Sequence, residues 1–436
     1  MSELDFDVAV WLKPDNEDSV EEITLGSLRI SVGADRVLVT QVEDTIARTV
    51  RDHINVPAFA LAEWMLINWW RLRWEPRPKE PTFEWFQAHS MASVSGDYVW
   101  PALEFSSDGE FVQVKIEAED EPDVSAIRYL RDIVVDIPAA HFESAVDRFT
   151  NLVESRVVSF LPHQQDLSDL TAELQDERGD PELARRCKLQ ALAGIDPGSA
   201  SKDWFRKTEK LATKAGPLAT EEIMAVVPDL CGGLRAAEQA VREMHKSPIT
   251  VKFDFKKPPA FVAATGELPW QQGTRLAATL RHHLDIDTGP LDNAVLEQLL
   301  NVRLPLEQRS WVGGKVLSGG LKNGVTNGRT PVLVPSEKHE SQRFYLARLI
   351  GSELVSQPEQ HVLPVSRAGT ALQKLERSFA QELLCPWVAL EAFIDEMGTD
   401  DEAIMDAAEH FQVSQLLVQT TLVNNGRLSR EILPGR

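Results

Sequence analysis

Histidines, carboxylates and glycine–lysine pairs are the groups in this chain that could do chemistry, and their spacing decides which of them can. His339-Glu340-Ser341-Gln342-Arg343 begins like the pattern H-E-x-x-H. In that pattern two histidines four residues apart face one zinc ion, and the glutamate between them activates its water. Here the last position is Arg343, and a guanidinium stays protonated with no lone pair to donate. One His and one Glu do not make a tetrahedral site, so this stretch reads as the solvated start of a helix. His282 and His283 are adjacent; on a helix they point about 100° apart and cannot grip one ion together. His89 has no acidic or thiol neighbour at a useful spacing and reads as a packing or hydrogen-bonded histidine. Trp311-Val312-Gly313-Gly314-Lys315-Val316 has the glycines of a phosphate loop. That loop needs Ser or Thr directly after the lysine, and Val316 stands there, so hairpin turns are expected instead. No nucleophile elbow, dinucleotide fingerprint or kinase motif is present. No catalytic residue and no metal ligand is assigned, and no cofactor is expected.

Recognition is the other chemistry on offer. Six of the eleven tryptophans fall between positions 64 and 100, and Arg71, Arg73 and Arg77 interleave with the first of them. Trp and Arg dominate binding hot spots and stack on cations or bases, which makes Trp64, Trp69, Trp70, Arg71, Arg73 and Trp74 a candidate partner surface. The same large rings equally build the core of a small domain, the favoured reading for most of them. Near the other end, Glu402–Phe411 followed by Leu416–Leu422 has the wording of a helix-turn-helix, but Gln415 to Leu422 contains no basic residue to meet phosphates.

The elements that must position these groups follow from length and pattern. The 436 residues exceed one ordinary core, so several domains are expected. With 43% hydrophobic and 26% charged residues the composition is globular. Lys and Arg number 45 against 67 Asp and Glu, a formal charge of −22, so direct nucleic-acid binding is not expected. Cys187, Cys231 and Cys385 are scattered without C-x-x-C spacing, as suits a reducing compartment. Met1 to Val20 is acidic, not the basic and apolar start of a signal peptide. The apolar stretch Phe59–Trp70 is shorter than the ~20 residues of a span. A soluble, cytoplasmic protein with no membrane attachment is expected.

The fold class expected is α+β multidomain. Residues 1–160 read as a Trp-rich α+β domain of unknown role: a hairpin over 22–41, helices at 42–53, 57–74 and 83–94, a second hairpin around Asp108-Gly109, a strand at 133–137 and a helix over 140–159. Residues 161–255 read as a helical domain, ending in a linker at Phe253–Pro259. Residues 256–436 read as a third unit, with helices at 270–284, 291–300, 341–355, 371–384, 388–396 and 402–411 around a glycine-rich stretch at 310–334. Turns are expected there at Asn323-Gly324 and Asn327-Gly328.

Three segments of that last unit stand in a telling order: Arg343-Phe344-Tyr345-Leu346-Ala347-Arg348-Leu349-Ile350-Gly351-Ser352, then Ser378-Phe379-Ala380-Gln381-Glu382-Leu383-Leu384-Cys385-Pro386, then Ala408-Glu409-His410-Phe411-Gln412-Val413-Ser414. Over about 310–425 this resembles the ImmA/IrrE-type metallopeptidases, whose helices read roughly R-F-T-L-A-H-E-L-G-H, F-A-A-E-L-L-M-P and A-x-x-F-x-V-S. The resemblance implies a zincin-like α+β domain. Residue by residue it puts Arg348 at the first metal-binding His, Leu349 at the general base and Ser352 at the second His. The outlying ligand Glu falls near Gln373, with Glu376 one helical turn on. Neither arginine nor leucine can do those jobs, so a degenerate, metal-free pseudopeptidase is expected.

The resemblance thus implies a non-catalytic regulatory or partner-binding bacterial protein. Its protein partner would be encoded nearby, and the settings implied are phage defence, toxin–antitoxin systems or control of mobile elements. A helix-turn-helix transcription regulator and an enzyme with an unrecognised N-terminal active site are the alternatives.

Overall fold

The computed structural model describes residues 3–119, 126–226, 232–255, 266–286, 288–307, 317–322 and 328–433. The chain forms two compact units, 1–200 and 201–436. Both mix helices with small antiparallel sheets, as the α+β expectation has it. Among the described residues no helix is long and apolar enough to cross a membrane.

The first unit runs β1 (Leu4–Trp11), α1 (Val20–Ile23), β2 (Leu25–Val32), β3 (Val37–Leu38), β4 (Val42–Asp44), β5 (Thr49–Arg51), β6 (Ile54–Pro57), α2 (Ala58–Ile67), α3 (Trp69–Trp74), α4 (Phe83–His89), β7 (Glu104–Ser107), β8 (Phe111–Ile116), β9 (Ile127–Tyr129), β10 (Ile133–Pro138), α5 (Ala139–Phe160), α6 (Asp166–Gly179) and α7 (Pro181–Leu192). Strand β2 pairs antiparallel with β1, β3 and β6. The β2–β3 hairpin turns at Gly33, whose φ of 80° is open to glycine at no steric cost. A second sheet, β10-β8-β7, turns at Gly109. In α5 the stripe Phe142, Val146, Phe149 and Val153 is fully buried, the 3.6-residue period at work.

Two expectations fail in this unit. Residues 42–53 are strands β4 and β5, not a helix, and β9 completes their sheet. The segment is β-branched and too polar to offer a helix an apolar stripe. The Asp44 carboxylate accepts from the amides of Ile46 and Ala47, and Arg48 adopts a left-handed φ of 53°, which together turn the chain back. The helical stretch 161–255 is also divided. Leu167, Leu174, Cys187 and Ala191 of α6 and α7 join the same apolar cluster as Trp64, Phe105 and Phe142; the helices after residue 200 belong to the second unit. Helical pattern reports local period and not the surface that a helix is buried against.

The second unit comprises α8 (Lys202–Ala215), α9 (Pro217–Met224), α10 (Gly232–His245), β11 (Thr250–Val251), α11 (Pro269–His283), α12 (Asn293–Leu300), β12 (Ser318–Leu321), β13 (Thr330–Leu333), α13 (His339–Val355), β14 (Val362–Val365), α14 (Ala371–Leu384), α15 (Trp387–Met397), α16 (Asp401–Phe411) and α17 (Gln415–Asn424). Its sheet has the order β11-β13-β12-β14, all antiparallel. Trp311–Val316, the turn Asn323-Gly324, Asn327, Cys231 and the linker residues Lys256–Pro259 lie outside the described residues.

Candidate site at the junction of three helices and a strand end

Helix α13 is buried on most sides. Leu346, Ala347, Arg348, Leu349, Ile350, Gly351 and Ser352 are all inside, a burial wider than one apolar stripe. Leu346 and Ile350 are buried while Phe344 and Leu354 are half-buried. Two glycines bring the helices close. A Cβ on Gly351 would stand 2.9 Å from the Phe379 ring of α14. A Cβ on Gly273 of α11 would overlap the Ser378 hydroxyl and the Leu375 carbonyl of α14. Arg343, at the start of the family-like segment, donates to the Leu291 carbonyl at 2.7 Å and to Asn293, fixing α13 to the start of α12. Burial pushes its guanidinium down to about 10, still charged at neutral pH.

Inside this frame Arg348 meets a set of acceptors. Its Nη2 donates to the Ser366 carbonyl at 2.7 Å and to Gln373 Oε1 at 2.5 Å, and lies 3.4 Å from Glu376 Oε2. Gln373 is held in turn: its Oε1 accepts from the Ser366 amide at 2.7 Å and its Nε2 donates to the Pro364 carbonyl at 3.0 Å. Those backbone groups come from the end of β14. From α9, Glu222 reaches the same layer, where its Oε2 accepts from the Thr370 hydroxyl at 2.6 Å. Thr370 also caps α14, accepting from the Gln373 amide.

Arg348, Ser352, Gln373, Glu376 and Glu222 are all buried. Burial pushes the Glu376 carboxyl up to about 8 against the pull of Arg348, and the neighbouring Glu222 carboxyl adds to the rise. Burial likewise raises Glu222 to about 7, opposed by its hydrogen bond from Thr370. It holds the Arg348 guanidinium below its ordinary range, with Glu376 opposing. Glu376 Oε1, Ser352 Oγ and Arg348 Nε are buried without a hydrogen-bond partner among the described residues.

The sequence-derived positions Arg348, Ser352, Gln373 and Glu376 therefore converge, while Leu349 is buried, its side chain 3.3 Å from where a Cβ on Gly320 of β12 would stand. The donor set does not fit a zinc ion. A zinc site takes His, Cys or carboxylate ligands in a tetrahedron; here a protonated guanidinium holds the centre, with one carboxylate and one amide beside it. Among the described residues no group of three or more His, Cys, Asp or Glu side chains is placed to hold a metal ion. Glu382, further along α14, accepts from the Trp387 amide at 3.2 Å. Sequence reasoning missed Ser366, which acts through its backbone, and Glu222, which lies 148 residues from its partner Thr370. A buried glutamate in a short apolar helix was the available signal for the latter.

The other candidates fall elsewhere. Trp64, Trp69, Trp70, Arg71 and Arg73 are buried and Trp74 half-buried, so they form core and not an exposed partner surface. Their polar atoms are used within the first unit: Trp64 Nε1 donates to the Gln87 carbonyl, Trp70 Nε1 to Glu177, and Arg73 to Glu143. Arg71 pairs with Glu75 at 2.6 Å and with Asp196 at 3.2 Å. His89 is fully buried, stacked on Trp85 with 4.3 Å between ring centroids. Its Nδ1 faces the Phe105 carbonyl and its Nε2 faces Glu75 Oε2 at 2.9 Å, so it does have an acidic partner, brought from α3's end. His282 and His283 are exposed on α11 with their rings 6.3 Å apart. Helices α16 and α17 join through Gln412, at a left-handed φ of 54°, in a tight turn, and α17 carries no Lys or Arg.

Comparison with known proteins returns nothing: no protein-family model, no curated protein and no solved structure matches this chain.

Proposed function

We propose that the second unit is a catalytically silent, zincin-like module of the ImmA/IrrE type, and that the protein acts as a non-catalytic, partner-binding regulator. The observation that carries this reading is the Arg348 guanidinium, buried among Ser366, Gln373 and Glu376 at the position the resemblance assigns to a metal-binding histidine. A hydrolase needs an ion with an open coordination position and a base for its water. In this chain a tethered cation takes the centre and Leu349 stands where the base belongs, leaving a module whose remaining use is to bind. The settings implied by the resemblance, phage defence or mobile-element control among them, come with it as part of the proposal.

Elemental analysis of the dialysed protein, run beside a protease assay with and without added zinc, tests the reading. The expected result is zinc well below one per chain and no cleavage. About one zinc per chain, together with chelator-sensitive cleavage, overturns it.

A further inference from the structure

The proposed binding module leaves open what it binds and where. Helices α15 and α16 carry a solvent face that the fold does not use. The inner side of α16 is Ala403, Ile404, Ala407, Ala408 and Phe411, all buried. Phe393 of α15 packs on His410 and Phe411, at 5.2 and 6.3 Å between ring centroids, and holds the two helices together. Outside, Glu402, Met405, Asp406 and Glu409 follow the i, i+3, i+4, i+7 spacing of one helical stripe. Met405 is 50% exposed, Met397 at the end of α15 49%, Val388 at its start 68%, and Leu416 at the start of α17 50%. Each of these apolar side chains is presented to water.

The charge on this face is one-sided. Between Trp387 and Phe411 the chain has eight carboxylates and no lysine or arginine. Arg427 pairs with Glu391 and Asp395; Glu396, Asp401, Glu402, Asp406 and Glu409 have no ion-pair partner among the described residues. The sign excludes nucleic acid and anionic lipid as occupants, and a second copy of a chain with net charge −22 is repelled. Methionines adapt to varied apolar partners, and carboxylates around them steer a cationic one.

We infer that the outer face of α15 and α16 docks a basic amphipathic helix of a partner protein. Its Lys and Arg side lies over Glu402, Asp406 and Glu409, and its apolar side rests on Met405 and Met397. The inference rests on the reading of the second unit as a binding module and names the chemistry of its partner.

The test uses the full chain and a fluorescent amphipathic Lys/Leu peptide, with a Glu/Leu peptide of the same pattern and an oligolysine as controls. Anisotropy is expected to show saturable binding of the Lys/Leu peptide alone, weakening about tenfold between low and physiological-to-high salt. The variant Glu402→Lys/Asp406→Lys/Glu409→Lys is expected to lose binding. Met405→Ser, which alters no charge, is expected to weaken it several-fold, with thermal melts showing both variants folded. Absence of binding, binding that survives the charge reversal, or oligolysine binding as well as the amphipathic peptide with Met405→Ser without effect each overturns the inference. Zinc content and cleavage on the same preparation report on the pseudopeptidase reading separately: a metal-free, inert chain that ignores the peptide refutes only the docking face.

Discussion

Arg348 and Glu376 face each other across α13 and α14 with 3.4 Å between Nη2 and Oε2, and burial dominates their attraction. The guanidinium makes its shorter bonds to neutral groups, the Ser366 carbonyl and Gln373. Removing two opposite charges from water costs more than a long pair returns in such a place. The layer is therefore held by its hydrogen bonds more than by charge, and burial competes with Arg348 over the charge state of Glu376, with Glu222 adding to the rise.

That competition sets a pH dependence. Glu376 titrates at about 8 in the folded chain against an ordinary 4.5. A raised folded pKa contributes stability that is present below the unfolded value and lost as pH rises through the folded one. Thermal melts should show the second unit weakening between about pH 5 and pH 8, by on the order of a few kcal/mol. Glu376→Gln should flatten that slope and leave the acid side little changed. A slope identical to that of the parent chain would show that Glu376 ionises freely.

Removing the guanidinium should be costly. Arg348→Ala strips Ser366, Gln373 and Glu376 of a donor, and leaving a buried acceptor unsatisfied costs about 1–3 kcal/mol. Because Gln373 stays anchored by Ser366 and Pro364, the vacated receptor keeps its shape. Guanidinium ion at low millimolar concentration should then raise the variant's melting temperature and leave that of the parent unmoved. Differential scanning fluorimetry reads both; equal stability of Arg348→Ala and parent refutes the structural role.

Helix α11 lies so close to α14 at Gly273 that a methyl group has no room beside the Leu375 carbonyl, a backbone atom that cannot step aside. Gly273→Ala should lose about 3 kcal/mol or more through overpacking, despite alanine's better helix propensity. Urea melts measure it, with Gly179→Ala, at a site with open space around it, as the control expected to be near neutral.

In the first unit Glu75 is buried between Arg71 and His89. Burial raises its carboxyl, but the hydrogen bonds and charges of His89 and Arg71 outweigh that and hold it below the ordinary 4.5. A depressed pKa contributes stability that is present above the unfolded value and lost as pH falls through the folded one. Acid unfolding of the first unit should therefore begin below about pH 4.5. Glu75→Ala should unfold more easily at neutral pH, since it leaves Arg71 and His89 buried without their shared partner. Near-UV circular dichroism follows the stacked Trp85–His89 pair, and an unchanged acid midpoint in the variant counts against this account.

Much of the skeleton was legible in the residues because period and punctuation agree. Helix α5 announces itself by Phe142, Val146, Phe149 and Val153, and the β7–β8 hairpin by Asp108-Gly109. The 42–53 strands were not, because a local side-chain turn at Asp44 and a left-handed Arg48 override a weak helical pattern. Arg348, Gln373 and Glu376 were placed together by the order of the family-like segments. Their backbone partner Ser366 and the distant Glu222 were not, since a carbonyl has no letter of its own and separation along the chain conceals proximity. The tryptophans were ambiguous for a physical reason: the ring that anchors an interface is the same ring that fills a core.

A charge that is part of the polypeptide cannot be chelated, exchanged or starved for. Under the proposed pseudopeptidase reading, the chain trades catalysis for indifference to the zinc supply of the cell. On that reading the second unit matures as it leaves the ribosome, with no loading step to await. Under that reading no ion is there to withdraw, and control over the module acts from outside, on its surface or its abundance.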